Sequence, residues 1–324
     1  LELSPGNIVL CKDGGKTLTV TIPAGTHSIE IHAYGYTSQQ LDVTIEAGKT
    51  ATFSVKLTES EQLENEFSVI NESGNHLPAT IEFCFSTLST ELGPHATKLK
   101  LPAGKHMVAL TLRGFVPQRT IIEVKPKGNH SFTLTSLPDV LLVDDDEGKS
   151  YETTFIKALT NLDLSYELVQ ETVELDKIRW FKHVIWISGD SSYRSLGKVE
   201  LETLIDYVKG GGNLLLTGQD IGLGAGRLDE YTTLTGAKFL KDSSKSMIVK
   251  GFNETYQLGG NQKWPDLLEP IGVHSKSIFA YDIGGCAAVE NLLEKGRVRY
   301  LGFGFEGVQT NEARNRLMEK LLSQ

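Results

Sequence analysis

The feature that most constrains the fold is a motif that occurs twice. Residues 22–41 read IPAGTHSIEIHAYGYTSQQL, and residues 101–121 read LPAGKHMVALTLRGFVPQRTI. Pro23 and Pro102, Gly25 and Gly104, His27 and His106, Gly35 and Gly114, and Tyr36 and Phe115 correspond. Each copy continues into an alternating stretch, a glycine turn (Gly48, Gly128) and a last strand ending near Leu57 or Leu134. Ile29, Ile31 and Ala33 alternate with Ser28, Glu30 and His32. Ile81, Phe83 and Phe85 alternate in the second copy, as do Val108, Leu110 and Leu112. Period-two runs broken by Gly and Pro predict antiparallel strands with one buried face. Several such strands in a short span predict a small β-sandwich. The acidic stretch TESEQLENE (58–66) reads as a boundary. The predicted sandwiches are therefore 1–60 and 61–137. His27 and His106 could be metal ligands, but no further ligand accompanies either. They read as packing residues beside the turn.

The pattern changes near Leu137. A short apolar strand, VLLV, runs into an acidic loop and then a helix with Phe155, Ile156, Leu159 and Leu162 on one face. KHVIWISGD is a second buried strand. Leu201, Leu204, Ile205 and Val208 mark a helix that ends at a triple glycine, and NLLLTG is the next strand. Late strands are predicted near 277–280, 287–290 and 298–302. A last helix spans about 311–321, with Asn311 as its N-cap. Apolar strands alternating with helices predict a mainly parallel sheet covered on both faces, a doubly wound α/β domain over 138–324.

In open α/β sheets, sites lie beyond the carboxyl ends of the strands. Here those ends carry Asp144, Asp145 and Asp146; Asp190 and Ser191; Gln219 and Asp220; and Glu306. All are acidic or polar, so one cluster is expected. Two chemistries follow. Asp144, Asp145 and Asp146 could bind a divalent cation, because hard cations take several carboxylate oxygens, or they could cap the following helix ahead of Ser150 and Glu152. Asp220 and Glu306 could act as acid and base of a hydrolase, while Asp190, Ser191, Gln219, Asp220 and Glu306 could equally bind a ligand. Cys286 and His274 have no positional support as a pair. GLGAG (222–226) lacks the context of a phosphate loop and reads as a mobile loop.

The net charge of -9 argues against nucleic acid as partner. No run approaches the roughly 18 apolar residues of a membrane span. Cys11, Cys84 and Cys286 are far apart, so no zinc site or disulfide framework is expected. The chain starts LELSPGNIVL and is read as part of something longer, whose first sandwich lacks its opening strand.

The two copies of PAG-x-H followed by Gly-aromatic resemble PEGA-type and carboxypeptidase-regulatory-type domains, which are transthyretin-like. The remainder resembles the class I glutamine amidotransferase-like superfamily, which is flavodoxin-like. GGGNLLLTGQDIG stands where that superfamily has its nucleophile elbow, and YLGFGFEGV where it has a strand running into its His-Pro-Glu. LLVDDD, SGD, GQDIG and GFGFE together are similar to a tail domain of secreted bacterial and archaeal peptidases. The departures matter. Gln219 stands at the elbow, Glu306 stands near the family's His, and His183 starts a strand at the far end of the sheet. The resemblance implies a non-catalytic binding or spacer region, extracellular or at the cell surface, with a protein, peptide or glycan partner. It implies no resident cofactor beyond a possible divalent cation.

Overall fold

The computed structural model describes residues 8–10, 19–31, 33–84, 86–170, 175–191, 196–242 and 247–323. Cys11, His32 and Phe85 lie outside them. The chain forms two compact units, Leu1–Ser136 and Leu137–Gln324.

The first unit contains β1 (Ile8–Leu10), β2 (Gly25–Ile31), β3 (Gln39–Ile45), β4 (Gln62–Asn71), β5 (Ala79–Phe83), β6 (Ser89–Leu92), β7 (Thr97–Pro102), β8 (Gly104–Thr111), β9 (Gln118–Val124) and β10 (Asn129–Leu134). They make three sheets, ordered β1-β2-β3, β10-β4-β7 and β6-β5-β8-β9. The alternating residues of the last two meet in one core: Phe67 and Val69, Ile81 and Phe83, Val108 and Leu110, Ile122 and Val124, Phe132 and Leu134.

The repeated motif is a repeated hairpin. Gly25 faces Ile45 across β2 and β3, and Gly104 faces Val124 across β8 and β9. Gly35 and Gly114 both sit at φ 87°, in the left-handed region that glycine tolerates, and allow the same tight bend. The repeated histidines share one contact. His27 Nε2 lies 2.8 Å from the Pro23 carbonyl and His106 Nε2 lies 2.7 Å from that of Pro102, so each ring pins its own Pro-Ala-Gly turn. The copies differ in what flanks the hairpin. In the second, β10 pairs in parallel with β4. Residues 50–57, which the hairpin register matches to β10, lie outside any strand, where the sequence predicts one ending near Leu57.

The second unit contains β11 (Val140–Asp144), α1 (Glu152–Asn161), β12 (Tyr166–Gln170), α2 (Leu175–Ile178), β13 (His183–Gly189), α3 (Lys198–Lys209), β14 (Asn213–Gly218), α4 (Ile221–Ala225), α5 (Asp229–Thr235), β15 (Ala237–Asp242), β16 (Ile248–Gly251), β17 (Glu254–Gln257), β18 (Asp266–Pro270), β19 (Ser275–Tyr281), β20 (Cys286–Leu293), β21 (Gly296–Leu301), a 3-10 turn (Phe305–Gly307) and α6 (Asn311–Leu322). One sheet of eleven strands runs through it. Its first part, β12-β11-β13-β14-β21, is parallel. Beyond β21 the sheet turns antiparallel, through β20, β19, β16 and β17, with β18 and β15 alongside. The expectation of a mainly parallel sheet thus holds for only part of it. Among its described residues, the stretch 237–281 has no helix to carry a parallel crossover.

Strand alternation feeds two cores. Leu141, Val143, Val184, Trp186, Leu214 and Leu216 pack against α3 and α5 through Leu201, Leu204, Tyr231 and Leu234. Val140, Leu142, Ile185, Ile187 and Leu215 pack against α1 and α6 through Phe155, Leu159, Leu317 and Leu321. Both faces are buried, which is why these strands read as continuous apolar runs. Each fully buried Leu, Ile or Phe contributes roughly 1.5–3 kcal/mol.

Two local expectations change. GLGAG is not a loop, because its residues form α4 and the turn after it. The N-cap of α6 is Thr310 rather than Asn311. Thr310 is extended, and its hydroxyl accepts from the Ala313 N–H at 3.1 Å. Among the described residues no helix is long and apolar enough to cross a membrane.

Candidate functional site

Strands β11, β13, β14 and β21 run parallel, so their carboxyl ends share one edge. Gln219 follows β14 and is 1% exposed. Its Oε1 accepts from the backbone N–H groups of Lys263 (2.7 Å) and Trp264 (2.8 Å), and its Nε2 donates to the Asn261 carbonyl at 3.0 Å. Gln219 therefore uses its amide to clamp residues 261–264.

Glu306 lies in the 3-10 turn after β21, 8% exposed. Its Oε1 accepts from Asn261 Nδ2 at 2.8 Å and Gln262 Nε2 at 3.1 Å. Gln262 in turn accepts the Gly304 N–H at 2.8 Å. A Cβ on Gly304 would stand 1.9 Å from Glu306 Oε1, so GFGFEG needs its glycine there for the carboxyl to fold back. Burial pushes the Glu306 pKa up, opposed by the Asn261 hydrogen bond.

Asp190, at the end of β13, accepts from Lys149 Nζ at 2.6 Å and the Tyr151 hydroxyl at 3.2 Å. Ser191 turns aside and donates to Glu147 Oε1 at 2.9 Å. Asp220 is 5% exposed at the start of α4. Burial pushes its carboxyl up to about 6, with Asp242 and Asp190 adding and Lys149 opposing. Asp190 is the charged neighbour that Asp220 and Glu306 share.

The three acids at the end of β11 divide. Asp144 and Asp145 alternate across the sheet. Asp145 Oδ2 accepts from Trp186 Nε1 at 3.0 Å on the α3 side, and it does not join Asp144 and Asp146. The triad that does come together is Asp144, Asp146 and Glu152, with one oxygen of each within 4.8 Å of the others. Asp146 also holds the loop, accepting from the N–H of Lys149 (2.7 Å) and Tyr151 (2.9 Å). It is this residue that organises the start of α1, whereas Ser150, at φ 59°, does not cap it.

Sequence reasoning missed Asn261, Gln262 and Asp266, and gave Glu152 only the role of an acid at a helix start. Asp266 is fully buried, and its Oδ2 accepts from the Gly222 N–H at 2.8 Å and the Tyr300 hydroxyl at 2.5 Å. Burial holds it well above the ordinary carboxyl range. Cys286 and His274 show no pairing: the Cys286 thiol donates to the Ala288 carbonyl at 3.2 Å. Cys84 and Cys286 are free thiols.

The Asp220 environment predicts a pH effect. Its folded pKa, about 6, exceeds the ordinary 3.8, so the folded state keeps a proton that the unfolded chain releases in between. Stability from this group therefore falls as pH rises from about 4 to 6. Asp220→Asn is expected to stabilise the unit by on the order of 1–3 kcal/mol at pH 7 and to do nothing at pH 3. Chemical denaturation at the two pH values measures it.

Against known proteins, residues 7–61 match the PEGA domain family. No curated protein matches the chain. Among solved structures it is similar to a catalytic mutant of a beta-galactosidase from G. stearothermophilus, at 13% identity and a TM-score of 0.43, over 58% of this chain and 30% of that one. It thus spans less than a third of that enzyme's length. It is also similar to a candidate GMP synthase component from Thermoplasma acidophilum, at 11% identity and a TM-score of 0.42, over 57% of this chain and 94% of that one. A candidate ThuA-like protein from Bacteroides uniformis is similar at 11% identity and a TM-score of 0.38, over 55% of this chain and 87% of that one. What the comparisons establish is a PEGA domain at residues 7–61.

Proposed function

We propose that this chain is a non-catalytic accessory region of a secreted or cell-surface peptidase. In this reading the N-terminal copies are transthyretin-like β-sandwiches. The unit from Leu137 onward is a doubly wound, amidotransferase-like domain without its chemistry, which binds a protein, peptide or glycan. The observation that carries the reading is the state of Gln219. A glutaminase needs a thiolate at the elbow and a base beside it. Here an amide stands at that place with its oxygen and nitrogen engaged by residues 261–264. The PEGA match over residues 7–61 supports an accessory role. Residues 261–264 carry Trp264, 51% exposed, and the Lys149–Asp190 pair is partly open to solvent. An aromatic face and a charged pair suit a polar partner.

A hydrolase reading has one observation in its favour: both Asp220 and Glu306 hold raised carboxyl pKa values, as acid–base pairs do. One assay separates the two. The purified chain, offered amide, ester and peptide substrates, is expected to show no turnover above buffer. Turnover that disappears in Asp220→Ala or Glu306→Ala would establish the hydrolase instead.

A further inference from the structure

We propose that Asp144, Asp146 and Glu152 form a binding site for calcium. The inference stands apart from the accessory reading. It starts from strand geometry. Asp144 ends β11 on the face that packs against α1 and α6, because Val140 and Leu142 point that way. The chain then doubles back through Glu147, Gly148 and Ser150, all with left-handed φ (62°, 79° and 59°). This brings the first residue of α1, Glu152, beneath the strand end. Asp146 is fixed in place by the Lys149 and Tyr151 N–H groups.

Three observations point to a cation. The first is burial: Asp144 is 6% exposed, Asp146 0% and Glu152 8%. The second is charge: among the described residues no lysine or arginine forms an ion pair with any of the three, and the nearby Lys149 ammonium goes to Asp190 instead. Clustered buried carboxylates are costly without a positive partner. The third is independent of charge. Asp144 Oδ1 and Glu152 Oε2 are both buried and have no hydrogen-bond partner among the described residues. Most buried polar atoms in native proteins are satisfied, so two unpartnered carboxyl oxygens in one three-residue cluster point to a ligand between them.

The donors choose the metal. An all-carboxylate set without His or Cys suits a hard cation. Calcium–oxygen bonds of about 2.3–2.6 Å allow opposite ligands to lie roughly 4.6–5.2 Å apart. The triad's oxygens, all within 4.8 Å of one another, are close enough to ligate one such ion. Magnesium, at about 2.0–2.1 Å, requires a tighter and more regular set. Because Asp146 also holds the Tyr151 backbone, and the Tyr151 hydroxyl reaches Asp190, a bound ion would steady one side of the strand-end site.

The test uses the whole chain, dialysed against EDTA and then titrated with calcium chloride, with magnesium chloride in parallel. Calorimetry is expected to show one calcium per chain. Thermal unfolding is expected to rise by about 5–10 °C at a hundredfold excess over Kd. Asp144→Asn and Glu152→Gln are expected to abolish both signals. In EDTA they should unfold no lower than wild type, since each removes a buried negative charge. Asp145→Asn, outside the triad, is expected to keep both signals. The proposal is overturned if calcium gives neither heat nor a thermal shift up to about 10 mM, above the range of weak extracellular calcium modules. It is equally overturned if only magnesium binds, or if the calcium signal survives in Glu152→Gln.

Discussion

Gln219→Glu is expected to destabilise the unit from Leu137 onward by roughly 2–5 kcal/mol at neutral pH, a fall of about 5–15 °C in its unfolding temperature. The change is nearly isosteric, so packing is kept and the effect reports the lost hydrogen bond and the added charge. The wild-type Nε2 donates to the Asn261 carbonyl at 3.0 Å. A carboxylate there faces that carbonyl oxygen with a second acceptor, in a place 1% exposed. It also adds charge near Asp190 and Glu306. The Lys263 and Trp264 N–H groups keep their acceptor, so the loss belongs to the Asn261 contact and the buried charge. Protonation restores a donor. The new carboxyl has a raised pKa in the folded state, so the destabilisation grows as pH rises through that value and shrinks in acid. Thermal unfolding of both proteins from acid to neutral pH measures this. A variant as stable as wild type at neutral pH would show that Gln219 does not hold residues 261–264.

Much of this site was legible in sequence, and the reasons for the rest are specific. Polar tips on apolar runs marked the ends of β11, β13 and β14, because a buried parallel strand changes character where it leaves the sheet. The helical periods of α1, α3 and α6 were equally readable. Asn261 and Gln262 were not. Their partners Gln219 and Glu306 lie more than forty residues away in the chain, and the intervening stretch has no period to place it. Asp266 sits in WPDLL, where nothing distinguishes a buried acid from an exposed one. Glu152 reads as an ordinary helix-first-turn acid. Only the alternation of β11 turns Asp144 toward it and Asp145 away, and that alternation was available in the sequence. GLGAG reads as a loop because glycine is a poor helix former. Asp266 overrides the preference by accepting the Gly222 N–H and tying α4 to β18. Strands β15 to β18 lie among glycine and proline breaks that hide much of an antiparallel half-sheet.

Arg299→Met is expected to cost roughly 3–5 kcal/mol, or about 6–15 °C in unfolding temperature. Arg299 is 7% exposed on β21. Its Nε donates to Glu290 Oε2 at 2.8 Å, and its Nη1 reaches the carbonyls of Lys320 (2.9 Å), Leu321 (2.6 Å) and Ser323 (3.0 Å). One guanidinium thus neutralises a buried acid on β20 and closes the end of α6. Methionine fills the volume and leaves both tasks undone. Glu290 keeps Lys276, whose side chain is 69% exposed, and a longer contact with Arg297 at 3.5 Å. The main loss is therefore a buried charge left with weaker partners, which is more damaging than losing the whole pair. The double variant Glu290→Leu with Arg299→Met is expected to be more stable than Arg299→Met alone, and denaturant titration of the set reads the coupling. The pH dependence has a definite sign. Burial works to raise the Glu290 carboxyl, but the hydrogen bonds from Lys276 and Arg299 outweigh it and hold the pKa below its ordinary 4.5. Its contribution is present above that value and is lost as pH falls through the lower folded value. The gap between wild type and Arg299→Met should therefore be widest near neutral pH and narrow in acid. A gap that is constant with pH would place the loss in the α6 carbonyls rather than in Glu290.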